Sequence, residues 1–282
     1  MVALGLWNEL KLHRLAPEGA FLNGGEQGEV FLPLREVPPG SRPGQTLRVF
    51  VYLDAEDCYA ASTREPLAQR GDVALLEVRS VNKLGALLEW GLPSGLLLPW
   101  PEVKRDLKRL IQAGKTVLVI LFQDEDGRIK ASTRLEEFLE DESTDFQEGQ
   151  KVSLVVTDPT DIGVRVVVDS RCWGMVHRSD IFGPLRRGET KDGYIKALRE
   201  DHKLDVALSA PGYAKIDAIA QDLLDVLKRK GGFLAVTDKS RPEEIYALFG
   251  ISKKVFKQTL GALYKARRIL IEAEGIRIAP EG

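Results

Sequence analysis

Residues 50–64 and 119–134 share one pattern, and this internal repeat constrains the fold more than any other feature of the chain. Each copy has an apolar β-type run, an acidic turn and a second short run that ends in Ala-Ser-Thr-Arg, at Arg64 and at Arg134. Asp and Gly in such a turn favour a tight hairpin between two strands. The repeat therefore indicates that each copy is one small structural unit.

The match extends upstream of these hairpins and defines two copies of about 65 residues. Residues 31–37 correspond to residues 97–103. Gly44 corresponds to Gly114 and to Gly149, and each of these glycines is expected to mark the start of a strand. Four or five short strands per copy predict a small closed barrel such as the OB-fold, because a two-layer sandwich needs more strands.

Residues 152–209 form a third, looser copy of the same pattern. The predicted fold class is mostly β with an α+β C-terminus. It consists of three tandem OB-fold barrels and a winged helix-turn-helix domain. An acidic run over residues 136–148 is interpreted as a solvated linker between the second and third barrels. The predicted domains are residues 1–66, 67–142, 143–212 and 213–282.

The C-terminal part changes from a period of two to a period of 3.6, which predicts helices. A first helix starts near Ala214 and stops at Gly231, where glycine suits a helix end. A second helix runs from Pro242 to Phe249, and a third runs from Lys253 to about Arg267 with Ser252 as its N-cap. A short hairpin around Glu274 and Gly275 follows. Three helices and a hairpin predict a winged helix.

The net charge and the distribution of apolar residues limit the classes of function that the chain can have. The net charge of −2 and the pI of about 6.1 give no overall attraction to a polyanion, so binding to nucleic acid has to depend on local patches. There is no apolar stretch of the ~20 residues that cross a bilayer and no signal-peptide pattern, so a soluble cytoplasmic protein is expected.

Catalytic and metal-binding patterns are absent from the sequence. Cys58 and Cys172 are far apart, and the three histidines are scattered, so no metal, cofactor or disulfide is expected. The chain has no phosphate loop, serine elbow, HExxH or Cys-x-x-Cys motif. The acidic residues around Asp54 and Asp124 could suggest a nuclease, but hairpin turns select Asp for backbone reasons. We therefore expect no enzyme activity.

The winged-helix region resembles a known bacterial family, the conserved virulence factor B (YitL-like) proteins. The resemblance is carried by Gly231-Gly232-Phe233-Leu234, Asp238-Lys239-Ser240, Pro242-Glu243-Glu244-Ile245, Phe249-Gly250, Ser252-Lys253-Lys254, Phe256-Lys257, Gly261-Ala262-Leu263-Tyr264-Lys265 and Gly275-Ile276. It extends over essentially the whole chain. It implies three S1-type modules and a winged helix in a cytoplasmic, non-catalytic RNA-binding regulator of gene expression, with RNA bound mainly by the S1-type modules.

The third module is nearest to the general S1 pattern. Residues 174–179 stand where that pattern has Gly-Leu-Val-His-x-Ser. By the same resemblance, the first two modules place Leu32 and Leu98 where the histidine would be. The second module also has Leu87 at a position where a base-stacking aromatic residue is common.

Single-stranded nucleic acid is held by aromatic rings that stack on bases, beside cations that follow the phosphates. The third module offers the preferred set, with core packing of the rings as the alternative: Trp173, His177, Phe182, Arg165, Arg171 and Arg178. The second module offers another set, with a merely solvated charged face as the alternative: Trp90, Trp100, Lys83, Lys104 and Arg105. In the first module, Phe21 and Phe31 are predicted to be core residues.

The third predicted helix of the winged-helix domain carries a local excess of positive charge: Lys253, Lys254, Lys257, Lys265, Arg267 and Arg268. Lysine contacts mainly phosphate, and the helix has few side chains suited to base edges, so backbone binding is favoured over sequence reading. The alternative is a domain that packs on the third barrel.

The sequence thus predicts a post-transcriptional regulator whose partner is single-stranded RNA, with mRNA as one candidate. The alternatives are a DNA-binding transcriptional regulator that acts through the winged helix, and a scaffold on the ribosome or polymerase. The pattern of residues gives no indication of an oligomeric state.

Overall fold

Three closed five-stranded β-barrels follow one another along the chain, and a helical domain with a small sheet completes it. The computed structural model describes residues 2–54, 56–181, 184–209 and 214–279. All three barrels have the same order of neighbouring strands, first-second-third-fifth-fourth. The repeat in sequence is therefore a repeat in topology, and the predicted fold class is confirmed.

The strands have the following bounds. The first barrel contains β1 (Trp7–Ala16), β2 (Gly19–Asn23), β3 (Glu29–Pro33), β4 (Thr46–Leu53) and β5 (Tyr59–Ser62). The second contains β6 (Val73–Val81), β7 (Gly85–Glu89), β8 (Leu96–Pro99), β9 (Thr116–Gln123) and β10 (Ile129–Ser132). The third contains β11 (Lys151–Pro159), β12 (Gly163–Val168), β13 (Cys172–His177), β14 (Thr190–Leu198) and β15 (Leu204–Ala207).

The first two copies also match in register. β1 and β2 are antiparallel with a bulge between Leu12 and Arg14, and β6 and β7 have the same bulge between Val78 and Ser80. A bulge increases the local twist, which helps a short sheet to close. Gly44 donates to the carbonyl of Leu12, and Gly114 donates to that of Val78, so these two glycines are equivalent.

The predicted equivalence of Gly149 is wrong. Gly149 precedes the first strand of the third barrel and donates to Ile195 on β14, whereas Gly44 and Gly114 precede the fourth strands of their barrels. The error arose because a glycine before an apolar run looks alike in sequence whichever strand it precedes.

A second glycine position is common to all three barrels and fixes how the second and third strands pack. A Cβ on Gly19 would lie 2.2 Å from the carbonyl oxygen of Leu32, one on Gly85 would lie 2.1 Å from that of Leu98, and one on Gly163 would lie 2.0 Å from that of Val176. These distances are too short for any side chain, so only glycine allows the backbones to approach this closely.

We expect Gly85→Ala to destabilise the protein by about 1–3 kcal/mol, because the added methyl meets backbone atoms that cannot turn away. Urea unfolding followed by circular dichroism measures the effect. Gly261→Ala is the control, because a Cβ at that helical position meets nothing within 4 Å. It should stabilise the protein by up to about 1 kcal/mol through helix propensity. Equal effects of the two variants would contradict the close-packing argument.

The first two barrels share one hydrophobic core. Phe50 and Tyr52 on β4 point out of the first barrel, away from its own interior, and pack against Trp90 at the end of β7. The ring centroids of Phe50 and Trp90 are 5.9 Å apart at 81°, and those of Tyr52 and Trp90 are 6.4 Å apart at 89°. Edge-to-face contacts of this kind stabilise aromatic clusters. The two barrels therefore pack as one body.

The chain divides into two compact units. The first contains residues 1–141 together with residues 167–173 and 187–190 of the third barrel. The second contains the rest of the third barrel and the winged helix. The domain boundaries given above are not tested by this division and remain predictions.

The C-terminal domain is a winged helix-turn-helix. Its elements are α1 (Ala214–Arg229), β16 (Phe233–Leu234), α2 (Pro242–Phe249), α3 (Lys253–Lys265), β17 (Ile269–Glu272) and β18 (Gly275–Ile278). The hydroxyl of Ser252 accepts a hydrogen bond from the amide of Val255, as expected of an N-cap. Gly250 ends α2 with a φ of 66°. β16 was not predicted, because two residues are too short for a periodicity.

Candidate nucleic-acid interface

The common glycine position identifies equivalent residues on the outer face of each barrel. On the second strand, the side chain two residues after this glycine points outward. On the third strand, the side chain that points outward is one residue before the residue whose carbonyl oxygen the glycine faces. In the first barrel these are Phe21 and Phe31, which lie opposite each other in the β2–β3 register. Strands two and three form the face through which OB-folds bind oligonucleotides. The same positions are Leu87 and Leu97 in the second barrel, and Arg165 and Met175 in the third.

Phe21 and Phe31 are half-buried on the outside of the first barrel, so their prediction as core residues is wrong. Their strand neighbours Ala20, Leu22 and Leu32 are fully buried, and side chains alternate along a strand, so the two rings must face outward. The ring centroids lie 5.3 Å apart at an interplanar angle of 50°.

Two charged residues, Arg14 and Glu29, lie beside the two rings. We call the surface formed by Arg14, Phe21, Glu29 and Phe31 the first-barrel platform. The guanidinium carbon of Arg14 lies 3.6 Å from the Phe21 ring centroid. Arg14 donates from Nε and Nη2 to the two carboxylate oxygens of Glu29, at 2.9 and 2.7 Å. Bidentate pairing of this kind fixes the plane of the guanidinium as well as its position.

The ion pair shifts the pKa of both side chains. The hydrogen bond from Arg14 lowers the pKa of the Glu29 carboxyl below its ordinary value of 4.5, and the hydrogen bond to Glu29 raises the pKa of the Arg14 guanidinium. For a carboxyl whose folded pKa is lowered, the pairing is complete above the ordinary pKa and is lost as the pH falls through the folded value. The pair is therefore intact near pH 7.

In the second barrel, all of whose residues the structure describes, the positions equivalent to Phe21 and Phe31 carry no aromatic ring. Leu87 and Leu97 replace the two rings. Trp90 is only 3% exposed, because it fills the core shared with the first barrel, so it is not available for stacking. Trp100 is half-buried and donates its indole N–H to the carbonyl of Asn82 at 3.1 Å. The predicted cations are placed as follows: Lys83 and Arg105 are exposed, and Lys104 is ion-paired with Glu136 at 2.7 Å.

The third barrel places its predicted residues in different environments. Trp173 is only 7% exposed, so it is not available for stacking. With Val176 facing inward, the alternation of β13 places Trp173 on the outward side together with Met175 and His177, so its burial comes from residues that cover this side of the strand and not from the barrel interior. Nε2 of His177 lies 2.8 Å from Oδ1 of Asp205, with about a third of the imidazole exposed.

The remaining predicted residues of the third barrel are cationic or lie outside the description. Arg171 and Arg178 are exposed, and Arg165 is partly so. Phe182 lies outside the described residues. The prediction that His177 is equivalent to Leu32 and Leu98 is wrong. Val176 is the equivalent residue, because its carbonyl oxygen faces the common glycine as those of Leu32 and Leu98 do. His177 therefore corresponds to Pro33 and Pro99.

The winged-helix cations are solvent-accessible. Lys254, Lys257 and Lys265 are exposed at spacings of three and eight residues, which places them on one side of α3. Arg267 and Arg268 follow α3 and are exposed, and Lys253 is half-buried. α3 itself contains no acidic residue, although Lys257 lies 3.8 Å from Asp238 outside the helix.

Within the part of the chain that the structure describes, no three His, Cys, Asp or Glu side chains are grouped so that they could hold a metal ion. No helix among those residues is both long and apolar enough to span a membrane.

Comparison with known proteins gives matches at both ends of the chain. Residues 4–64 match the S1 domain, and residues 221–278 match the CvfB-like winged helix domain. Conserved virulence factor B from Staphylococcus epidermidis is 26% identical over 243 residues, which cover 85% of this chain and 82% of that protein. The Staphylococcus aureus protein of the same name is 25% identical over 85% of this chain and 81% of its own length. The resemblance to the conserved virulence factor B family is confirmed.

The two domain matches contain the candidate surfaces. The S1 match contains the whole first-barrel platform, and the CvfB-like winged helix match contains α3. A crystal structure of a multidomain protein with nucleic acid binding domains from Streptococcus pneumoniae is 25% identical, with 98% of each chain covered and a TM-score of 0.44. S1 and winged-helix domains are nucleic-acid-binding types, and nucleic-acid binding is therefore the general function that the conserved virulence factor B resemblance supports.

Sequence reasoning missed the first-barrel platform although one signal pointed to it. By the S1 pattern, Leu87 stands where an aromatic residue is common, and Phe21 is its equivalent in the first copy. Extending that alignment by one barrel would have identified Phe21, and the alternation around Phe31 would then have identified its partner.

Proposed function

We propose that this protein binds single-stranded RNA in the cytoplasm, without catalysis, and regulates gene expression after transcription. The observation that supports this function best is the pair of outward rings, Phe21 and Phe31, on the β2–β3 face beside Arg14. Unpaired bases stack on aromatic rings and on guanidinium planes, whereas the bases of a duplex are already stacked on each other. A platform of this kind therefore favours single strands over duplexes.

The proposal assigns different roles to the three barrels. The first supplies stacking. The second has aliphatic side chains at the same positions and a core shared with the first, so its role is to hold the first barrel in place. The third contributes cations, Arg165, Arg171 and Arg178, that follow the phosphate backbone.

The test is a titration of the full-length chain. Fluorescence anisotropy would compare a labelled single-stranded RNA of about 12 nucleotides, within the usual site size of such folds, with duplex DNA of the same length. We expect the RNA to bind more tightly at physiological salt. Tighter binding of the duplex would replace the proposal with the alternative of a DNA-binding regulator, which the exposed lysines of α3 support. Retention of the labelled RNA at full length in Mg²⁺ would support a non-catalytic role.

The lysines of α3 give a second, smaller expected effect. Replacing Lys254 and Lys257 by Gln should weaken RNA binding and reduce the slope of log K against log salt by about 0.7 for each lysine that contacts phosphate. The slope is measured from titrations at several salt concentrations. Lys115→Gln on the second barrel is the control, because Lys115 is an exposed lysine that belongs neither to α3 nor to the first-barrel platform. An unchanged slope in the double variant would exclude α3 from the interface.

A further inference from the structure

The outermost layer of the first-barrel platform is the Arg14 guanidinium, and not the ring beneath it. Its central carbon lies 3.6 Å from the Phe21 centroid, which is van der Waals contact, so it covers one face of that ring. The Arg14 side chain is itself 47% exposed. A base that reaches this end of the platform therefore meets the guanidinium first.

Glu29 controls both the orientation and the charge of this guanidinium. Both carboxylate oxygens accept hydrogen bonds from Arg14, so the plane cannot rotate without breaking one of them. The other charged or titratable groups near the pair are His13, whose Nε2 lies 4.0 Å from Glu29, and Glu18. The positive charge is thus balanced locally, which leaves a flat surface with little net attraction for phosphate.

We propose that Arg14 acts as a stacking layer for an RNA base, and that Glu29 is the positioning residue that holds its plane. This inference rests on the proposed RNA-binding function and adds a distinct prediction to it. An arginine that contacts phosphate contributes through its charge, whereas Arg14 contributes through its planar shape. A lysine has the charge but lacks the plane.

The second barrel shows what the platform is without these groups. By the register of the bulged strands, Ser80 stands where Arg14 does, since Ser80 pairs with Leu87 as Arg14 pairs with Phe21. Gly95 stands where Glu29 does, two residues before Leu97. The arginine, the glutamate and both rings are therefore all replaced together, as expected if the four side chains act as one site.

The test compares Arg14→Lys with Arg14→Ala in the full-length chain, using single-stranded RNA at pH 7 and several salt concentrations. We expect both variants to bind roughly 5- to 100-fold more weakly, and the salt slope to stay at the value of the unaltered protein. Retained affinity in Arg14→Lys, or a slope reduced by about 0.7 in Arg14→Ala, would show that Arg14 is a phosphate contact and overturn the assignment. Arg79→Lys, which alters an arginine paired with Glu89 on the second barrel, is the matched control and should leave affinity unchanged.

Glu29→Gln tests the positioning role separately. We expect weaker binding, because a neutral amide cannot hold the guanidinium by two charge-assisted hydrogen bonds. Glu29→Gln should cause no further loss when it is added to Arg14→Ala, because the group that it positions is then absent. Tighter binding with a steeper salt slope would mean that Glu29 only repels phosphate, which contradicts the inference. If the unaltered protein binds no RNA at all, the proposed function fails and this assignment fails with it. If it binds and only these variants behave otherwise, the assignment alone is wrong.

Discussion

Replacing Phe21 and Phe31 together by alanine is expected to reduce the affinity for single-stranded RNA by roughly 30-fold or more. Base–aromatic stacking contributes about 1–3 kcal/mol for each base, so the loss of two rings removes at least about 2 kcal/mol. Anisotropy titration of the full-length double variant measures the change. The equivalent positions carry no ring in the other two barrels, where they are Leu87 and Leu97 in the second and Arg165 and Met175 in the third.

Two further variants make this result interpretable. Leu87→Ala with Leu97→Ala truncates the equivalent positions of the second barrel and should leave RNA affinity nearly unchanged. Phe21→Trp with Phe31→Trp keeps flat rings at both positions and should retain binding. The melting temperature of each variant shows whether the fold is intact. Full affinity in a folded double-alanine variant would exclude the β2–β3 face of the first barrel as the RNA site.

Phe50→Ala is expected to cost about 3–5 kcal/mol of unfolding free energy, and Trp90→Ala a similar amount. Both side chains are almost completely buried, and each fills space against the other in the core shared by the first two barrels. Because they are in contact, the double variant should lose less than the sum of the two single losses. Denaturant unfolding followed by tryptophan fluorescence and by circular dichroism measures these free energies.

The same experiment tests the placement of Trp90. Leu84→Ala is the control, since Leu84 is 71% exposed and its truncation should cost less than about 0.5 kcal/mol. At a temperature where Trp90→Ala remains folded, its RNA affinity should match that of the unaltered chain. If Trp90→Ala keeps full stability but binds RNA weakly, Trp90 contacts RNA and does not fill a shared core.

The sequence was sufficient for the architecture. The repeated hairpins and the change of period after Ala214 predicted three barrels and a winged helix, and α2 has the predicted bounds. These features depend on local chemistry: turn residues, helix caps and the spacing of apolar side chains.

The sequence was not sufficient for the site, because a ring in an apolar strand reads the same whether it faces in or out. Trp173 and Phe31 both lie on the outward side of the third strand of their barrels, yet Trp173 is buried and Phe31 is only half-buried. Which face is inside depends on the register of the closed barrel, a tertiary property. The burial of Trp90 depends in addition on a neighbouring module, since Phe50 reaches it from another barrel.

The close approach at Gly19, Gly85 and Gly163 is present in every barrel, while the outward positions beside it hold two rings in the first, two leucines in the second, and an arginine and a methionine in the third. The demands of folding and those of ligand contact thus act on opposite sides of the same two strands. A duplicated module of this design is free to gain or lose a ligand without rebuilding its interior.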